Sequence, residues 1–432
     1  MTRHPFALGL LFVVCVGGRP ARGSAIGTNV AARPVTAERI AALPAAEQPA
    51  WREYLARTRA QRRTDQLALQ QELARRGLQE STRPPADKNA RSLPLTRPPE
   101  WYAGAEARRL ADIVLSFQTP AGGWSKNLDL SRHPRAAGES FAPDNRSRFV
   151  GTNDNDALGG VQWSYVGTID NGATTSELRF LAKVIAAAGS NAPAAYREAF
   201  TRGCGYLFAA QYPNGGWPQV WPLQGGYHDA ITYNDNAMLN VMQFLQEVAA
   251  GREDYPFTSA ELRQQAAASV RRAVTCLLAT QVRENGRRTV WCQQHDALTL
   301  LPTAARNFEM SSLCSAESAA LARLLMELPR PDAEVEAAVR GAAAWFERTQ
   351  IRDQAFRTVP GQGRLLVPTP GSGPVWARFY QIGTDRPIFG DRDKTIHDDV
   401  ADLSRERRDG YAWFTGNPRE LLRDFAKWTA AK

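Results

Sequence analysis

The chain has 432 residues, of which 43% are hydrophobic and 22% are charged, and its formal net charge is +9 at pH 7. This composition is typical of a soluble globular protein, and the length is enough to bury a large core. The basic residues are spread along the chain as Arg and do not form the Lys/Arg runs of a nucleic-acid-binding tail, so we expect an acidic partner that is not nucleic acid.

The first residues predict an export signal. Arg3 and His4 precede an apolar run over residues 6–16, and the small residues 23–25 suit cleavage. The run is too short to span a bilayer, and no other stretch is a candidate transmembrane helix. We therefore expect a signal peptide over residues 1–25, a secreted or periplasmic mature protein, and no membrane attachment after cleavage.

Residues 26–82 are rich in Ala, Arg and Gln and have helical periodicity, especially over residues 51–78. They contain no candidate chemistry. Residues 83–99 contain five prolines, which predict an extended linker. The sequence therefore predicts a helical extension with a Pro-rich linker over residues 26–99, followed by the main domain over residues 100–432.

One pattern occurs four times in the main domain: an amphipathic helix that ends in Gln and is followed by a loop. The glutamines are Gln118, Gln211, Gln281 and Gln350, separated by 93, 70 and 69 residues. Such steps accommodate a helical hairpin with an insertion. We therefore predict an all-α dominated fold, an (α/α) toroid or barrel of repeated hairpins. Long loops with short strands are expected to form a site at one rim.

Each loop leads into a second predicted helix, over residues 175–188, 236–250 and 314–328. The pair Asp170-Asn171 precedes the first of these helices, and Asp235-Asn236 begins the second. Asp and Asn at such positions are ordinary helix N-caps. Because the pair occurs twice at the same predicted rim, we favour a shared site instead.

The predicted rim collects aromatic, oxygen-bearing and cationic side chains. Trp124, Trp217, Trp221, Tyr227 and Tyr233 offer flat faces, Asp170, Asp229, Asp235, Asn171 and Asn234 offer oxygen ligands for calcium, and Lys126, Arg306 and Arg392 offer positive charge. This mixture suits a sugar chain that carries carboxylates. Each element also has a simpler interpretation: a turn that anchors a core Trp, an Arg306–Glu309 ion pair, and a solvated charge run around Arg392.

Cys204, Cys276, Cys292 and Cys314 remain after removal of the signal. In an oxidising compartment they allow up to two disulfides with three connectivities. Cys204 and Cys276 lie inside predicted helices, so we expect at least one of them to be a small buried apolar residue. No Cys/His cluster indicates zinc.

Five segments resemble family 10 pectate lyases, and they run in order over roughly residues 100–420. They are Gly122-Gly-Trp-Ser-Lys-Asn127, Thr168-Ile-Asp-Asn-Gly-Ala-Thr174, Gln211-Tyr-Pro-Asn-Gly-Gly-Trp-Pro-Gln219, Trp291-Cys-Gln-Gln-His-Asp296 with the Arg306 segment, and Phe389-Gly-Asp-Arg-Asp393 with Glu406-Arg-Arg-Asp-Gly-Tyr411. The resemblance implies calcium-assisted β-elimination of polygalacturonate in an (α/α) toroid, by a protein we expect to be a monomer. Residues 26–97 lie outside it.

The resemblance also implies roles for individual residues. Asp170 would help to hold calcium, Arg306 would remove the proton from C5 of the uronate, and Arg392 and Lys126 would bind substrate carboxylates. Asp235 is our predicted second calcium ligand, taken from the duplicated Asp-Asn pair. Asn171 and Tyr233 are further predicted substrate contacts. His295 is predicted to be a structural or substrate-orienting residue, and it is also the alternative base. These last three assignments come from their places at the predicted rim.

A guanidinium is a difficult base because its pKa is above about 12. We expect Lys126, Arg392 and calcium to depress the pKa of Arg306, and activity to rise into alkaline pH. Two alternatives stay open. One is a glycoside hydrolase that uses carboxylates such as Asp170, Asp235, Asp296 and Glu309. The other is an exported pectin-binding protein without catalysis. A terpene-cyclase interpretation fails because its Asp-x-Asp-Asp acid is absent.

Overall fold

The computed structural model describes residues 23–86, 93–143 and 166–430. Twelve α-helices occur in these parts of the chain. They are α1 (Ala37–Ala41), α2 (Gln48–Arg76), α3 (Pro99–Tyr102), α4 (Ala105–Ser116), α5 (Thr175–Ala188), α6 (Ala194–Ala210), α7 (Ala237–Ala250), α8 (Ala260–Thr280), α9 (Ser315–Met326), α10 (Ala333–Arg348), α11 (Arg405–Asp409) and α12 (Pro418–Ala430). None of them is both long and apolar enough to cross a membrane.

The helices form two layers, as the repeats predicted. Helices α5, α7 and α9 contact one another in order, and each packs against the helix that follows it, α6, α8 or α10. Helix α12 then packs on α9 and α10. The inner helices bury side chains around most of their circumference because they have neighbours on several sides. The predicted (α/α) toroid is confirmed.

The strands are short and lie in the loops. They are β1 (Gly27–Thr28), β2 (Gly167–Thr168), β3 (Val220–Trp221), β4 (Ile231–Thr232), β5 (Arg283–Glu284), β6 (Arg287–Arg288), β7 (Gln294–His295), β8 (Pro302–Thr303), β9 (Leu313–Cys314), β10 (Gln354–Val359), β11 (Gly363–Pro368), β12 (Trp376–Ala377), β13 (Phe379–Gln381), β14 (Arg386–Pro387), β15 (Phe389–Gly390), β16 (Thr395–His397) and β17 (Phe414–Thr415). They pair antiparallel into sheets of two or three strands. The sequence analysis predicted neither the β10–β11 hairpin, which has six residues in each strand, nor helix α12.

The repeated glutamines tie each hairpin to the next. In the first three, the side-chain amide donates one hydrogen bond to its own loop and one to the outer helix of the following repeat. The acceptors are the carbonyls of Gly122 and Ala199 for Gln118, Gly215 and Ser269 for Gln211, and Thr289 and Ala338 for Gln281. Buried carbonyls require such partners. The glutamine that marked the repeats in the sequence is therefore a joint between them.

A tryptophan closes each repeat. Its indole N–H donates to the carbonyl four residues before the glutamine, where the helix end lacks backbone donors. The pairs are Trp124–Val114 at 2.7 Å, Trp217–Leu207 at 2.8 Å, Trp291–Leu277 at 2.7 Å and Trp376–Phe346 at 2.9 Å. All four indoles are fully buried. The interpretation of the Gly-Gly-Trp loops as turns that anchor a core tryptophan is confirmed.

The N-terminal extension packs on the toroid. Helices α1 and α2 are present, and the rings of Trp51 and Tyr54 lie 5.1 and 4.9 Å from that of Tyr212. Strand β1 pairs with β16. These residues share one core with the toroid. The domain boundaries stay a prediction, and signal residues 1–22 lie outside the described residues.

The four cysteines that follow the predicted signal are free and buried. Cys204 and Cys276 lie in α6 and α8 and are 0% and 1% exposed. The expectation that at least one of them is a small buried apolar residue is confirmed.

Candidate active site

The two Asp-Asn pairs meet at one end of the inner helices. They form the 3₁₀ turns Asp170–Gly172 and Asn234–Asn236, which contact each other directly before α5 and α7. Asn171 and Asp235 have φ values of 54° and 51°. Non-glycine residues with this backbone concentrate at functional sites. Neither aspartate acts as a side-chain N-cap, because the N-cap residues are Thr174 and Asn236.

Asp170 is buried and pairs with a lysine. Its Oδ2 accepts a hydrogen bond from Lys126 Nζ, whereas its buried Oδ1 has no hydrogen-bond partner among the described residues. Burial raises the pKa of Asp170, but the positive charges of Lys126 and Arg306 outweigh it and hold the pKa below its ordinary value. Asp170 is therefore an ionised carboxylate with one unsatisfied oxygen.

Asp235 has the opposite electrostatic environment. Its side chain reaches solvent, yet the surrounding protein desolvates it. This burial, followed by the negative charges of Asp170, Glu317 and Glu309, raises the pKa of Asp235 to about 6. A bound cation would stabilise the ionised form of Asp235 among these anions. Oxygen ligands of this kind suit calcium.

Arg306 is held by Glu309. Its Nε donates to Glu309 Oε2 at 2.8 Å, and its Nη2 donates to Oε1. Tyr411 Oη donates to the same Oε1 at 2.8 Å. Burial lowers the pKa of Arg306, but Glu309 outweighs burial and raises the pKa above its ordinary value. The expected depression of this pKa by Lys126 and Arg392 is therefore wrong for the protein without calcium, because the nearest charge is an anion.

Arg306 and Arg392 converge on the ring of Phe308. Their Cζ atoms lie 4.8 and 5.4 Å from its centroid. Arg392 also makes two hydrogen bonds to Glu406, at 2.7 and 3.1 Å. Because Arg306 also acts electrostatically on Asp170, the predicted base, the predicted substrate-binding arginine and the predicted metal ligand all belong to one site.

Arg378 is a further cation of this site that the sequence analysis missed. Its Nη2 donates to Asn234 Oδ1 at 3.2 Å and to Glu317, and its Cζ lies 4.9 Å from the Tyr411 centroid. Burial lowers the pKa of Arg378, but Glu317 outweighs this and raises it. No local motif marks Arg378, since its partners lie far away in sequence.

Lys126 and Asp170 line a concavity together with His228, a second residue that the sequence analysis missed. The remaining lining residues are Ser125, Val166, Thr168, Gln219 and Val220. His228 stacks on Tyr227 with ring centroids 3.9 Å apart. Burial and the charge of Lys126 lower the pKa of His228 to about 3, so its imidazole is neutral at pH 7.

The predicted substrate contact of Tyr233 is wrong, and of the two roles predicted for His295 the structure supports the structural one. His295 is fully buried; its Nε2 accepts from the backbone N–H of Cys292 at 3.1 Å, so its Nδ1 donates to the carbonyl of Leu300 at 2.8 Å. Burial lowers the pKa of His295 to about 4. Tyr233 is 1% exposed, and its hydroxyl bonds Thr280 Oγ1 at 2.7 Å. Neither side chain has a surface or a free polar atom to offer a substrate or a proton.

The aromatic platforms predicted at the rim are wrong for the same reason. Trp124 and Trp217 are 0% exposed and Trp221 is 3% exposed, and Tyr227 is also buried. Asp229 is buried and accepts backbone N–H groups from Gly225 and Val35. Asn171 is exposed next to Asp170, and its substrate contact stays a prediction.

The family model for pectic acid lyase matches residues 118–422. Among solved structures, the chain is similar to the family 10 polysaccharide lyase from Cellvibrio cellulosa, with 34% identity, a TM-score of 0.64, and coverage of 76% of this chain and 95% of that chain. An aspartate-to-alanine mutant of that lyase in complex with trigalacturonic acid matches with 34% identity, a TM-score of 0.63, and coverage of 78% and 99%. None of the curated proteins matches. The chain belongs to the pectic acid lyases, the family 10 polysaccharide lyases.

Proposed function

We propose that this pectate lyase cleaves α-1,4-linked polygalacturonate by calcium-assisted β-elimination and releases 4,5-unsaturated oligogalacturonates. The observation that carries the proposal is the convergence of Asp170 and Asp235 with Lys126, Arg306 and Arg392 in one site of a family member. The similar Cellvibrio lyase in complex with trigalacturonic acid supports an acidic polysaccharide as substrate.

The cations of the site suit elimination. A proton alpha to a carboxylate is barely acidic, because its removal places a second negative charge beside the first. Positive groups that contact the carboxylate stabilise the charge that develops. Lys126 and Arg392 bind substrate carboxylates in this proposal, and Arg306 removes the C5 proton, which requires hydrogen-bond reach to C5.

Asp170 and Asp235 are the residues that would hold calcium. The unsatisfied Oδ1 of Asp170 and the raised pKa of Asp235 support a cation as the partner of these carboxylates. In the described parts of the chain, no group of three or more Asp, Glu, His or Cys side chains forms a larger metal cluster. Bound calcium would draw electron density from the uronate carboxylate and so acidify C5.

The pH dependence follows from the Arg306–Glu309 pair. Only neutral guanidine accepts a proton, and Glu309 raises the pKa of Arg306, so the rate is expected to rise far into alkaline pH. Glu309→Gln removes the anion and lowers the pKa of Arg306. Neutral Arg306 then appears at lower pH, and the pH at which kcat rises should fall by about 1–3 units. The measurement is kcat against pH.

Glu247→Gln is the matched control, because Glu247 likewise accepts hydrogen bonds from Nε and Nη2 of an arginine, Arg179, outside the site. Its pH profile should equal that of the unmodified protein. A Glu309→Gln profile that is unshifted, or that moves to higher pH, would contradict Arg306 as the base.

The proposed function is tested with polygalacturonate in calcium and in excess chelator. Ultraviolet absorbance from the unsaturated uronate should rise with calcium, stop with chelator, and return when calcium is restored. New reducing ends without ultraviolet absorbance would identify a glycoside hydrolase. Binding without either product would identify a non-catalytic pectin-binding protein. The structure disfavours Asp296 as a catalytic carboxylate of a hydrolase, because both of its oxygens accept hydrogen bonds from Arg39 Nη2, at 2.6 and 2.8 Å.

Export as a secreted or periplasmic monomer is also part of the proposal. The support is the charged start, the apolar run and the small residues at positions 23–25. N-terminal sequencing of the mature protein should begin near residue 26. Retention of residues 1–22 in the mature protein would contradict export by this signal.

A further inference from the structure

We propose that Asn29 is a positioning residue for Arg306, so that the N-terminal strap, residues 26–39, completes the active site from outside the matched family region. The inference rests on the proposed role of Arg306. No motif in the sequence of this segment indicates a role, and the family model begins only at residue 118.

The side chain of Asn29 holds the loop that carries Arg306. Its Nδ2 lies 3.1 Å from the carbonyl oxygen of Arg306, 2.9 Å from that of Asn307 and 3.3 Å from that of Glu309, so its two N–H groups are shared among the three. Asn29 is 6% exposed. The loop itself is neither helix nor strand. Within it the carbonyl of Arg306 accepts the N–H of Glu309 and the carbonyl of Glu309 accepts the N–H of Ala305, each at 2.9 Å, and Asn29 supplies the partner from outside the loop. One amide group therefore fixes the backbone on both sides of the Arg306–Glu309 pair.

The backbone of Asn29 is anchored to the other arginine loop. Its N–H donates to the carbonyl of Lys394 at 2.8 Å, and β1 pairs with β16 directly after this loop. Asn307 Nδ2 also donates to the carbonyl of Arg392 at 2.7 Å. Asn29 thus sets the Arg306 loop at a defined position relative to Arg392.

The far end of the strap is anchored independently. The backbone N–H of Val35 donates to Asp229 Oδ2 at 3.1 Å. Arg39 makes two hydrogen bonds to Asp296, and the side chains of this pair are only 12% and 11% exposed. Ala32 packs with Tyr227 and Ala305, next to Arg306 in sequence. The strap is therefore held at both ends, so the position of Asn29 is determined by more than its own contacts.

A base must lie within hydrogen-bond reach of its proton, and a displacement of about 1 Å can lower a rate by about 10²-fold. Asn29→Ala removes the donors. Asn29→Asp keeps the shape but directs a carboxylate at three carbonyl oxygens. We expect kcat to fall by about 10- to 100-fold in Asn29→Ala and at least as far in Asn29→Asp, whereas KM changes less than about threefold.

The experiment measures kcat, KM, thermal stability and hydrogen exchange of residues 304–312 in the full chain. Val30→Ala is the control, because Val30 is the next residue in the strap and is 79% exposed. Faster exchange over residues 304–312 together with lower kcat in the Asn29 variants, but not in Val30→Ala, would support positioning.

Two results would overturn the inference. One is unchanged kcat in both Asn29 variants while Arg306→Ala is inactive. The other is a loss of kcat no larger than the loss of folded protein, which would make Asn29 merely structural. An active Arg306→Ala variant would instead refute the proposed base, so the two failures are distinguishable.

Discussion

Arg306→Ala is expected to lower kcat on polygalacturonate by about 10²–10⁴-fold, the range that a positioned general base contributes. The variant removes the proposed base and one of the cations near Asp170. Substrate binding should persist, because Lys126 and Arg392 remain. The measurement is the initial rate of ultraviolet absorbance at saturating substrate, with binding to polygalacturonate measured in parallel.

The single variant also leaves Glu309 buried without its ion-pair partner. Glu309 is 2% exposed, and an isolated buried charge destabilises a protein by about 3–5 kcal/mol. The double variant Arg306→Ala with Glu309→Gln removes both charges and is the control for folding. It should melt close to the unmodified protein and remain inactive. Turnover in the stable double variant would show that another group removes the proton.

Asp170→Asn is expected to lower kcat by about 10²-fold or more and to raise the calcium concentration needed for half-maximal activity by at least about tenfold. The substitution keeps the shape of the side chain and removes the negative charge that pairs with Lys126. It also removes a negative charge that raises the pKa of Asp235, so this pKa should fall towards its ordinary value. Calcium titrations of activity and calorimetry with calcium alone measure the two effects.

Asp254→Asn is the matched control for Asp170→Asn, because Asp254 pairs with Lys183 at 2.7 Å in another Asp–Lys pair. It should leave calcium binding and turnover unchanged. Equal calcium affinity in Asp170→Asn and the unmodified protein would exclude Asp170 as a ligand. Below about pH 6, protons compete for Asp235, so calcium binding should weaken as the pH falls.

The helical repeats could be predicted from the sequence because each repeat has the same local pattern of apolar spacing and a glutamine at the helix end. The helix predicted over residues 175–188 agrees with α5, and the predicted ends near the glutamines agree with α4, α6, α8 and α10. Apolar spacing and a loop residue at a regular interval are sufficient for this. The β10–β11 hairpin was missed because its strands are half-exposed and lack clear alternation between apolar and polar residues.

Burial was the main source of error at the site. From their places in the loops, Tyr233 was predicted to contact substrate and His295, as one alternative, to orient it, and both point into the core. A local segment does not reveal which side of it the rest of the chain will cover. Arg378 and His228 were missed for the same reason, since their partners come from distant loops.

The sequence by itself determined the helical repeats, the duplicated Asp-Asn turns and the family, because each is written in residues close together along the chain. The Arg306–Glu309 ion pair was one of two interpretations of the sequence, and only the tertiary structure showed that the pair forms and raises the pKa of Arg306. Only the tertiary structure also revealed Asn29, which lies 277 residues before Arg306. Electrostatics and hydrogen bonds act through distance in space, and folding alone brings such distant residues together.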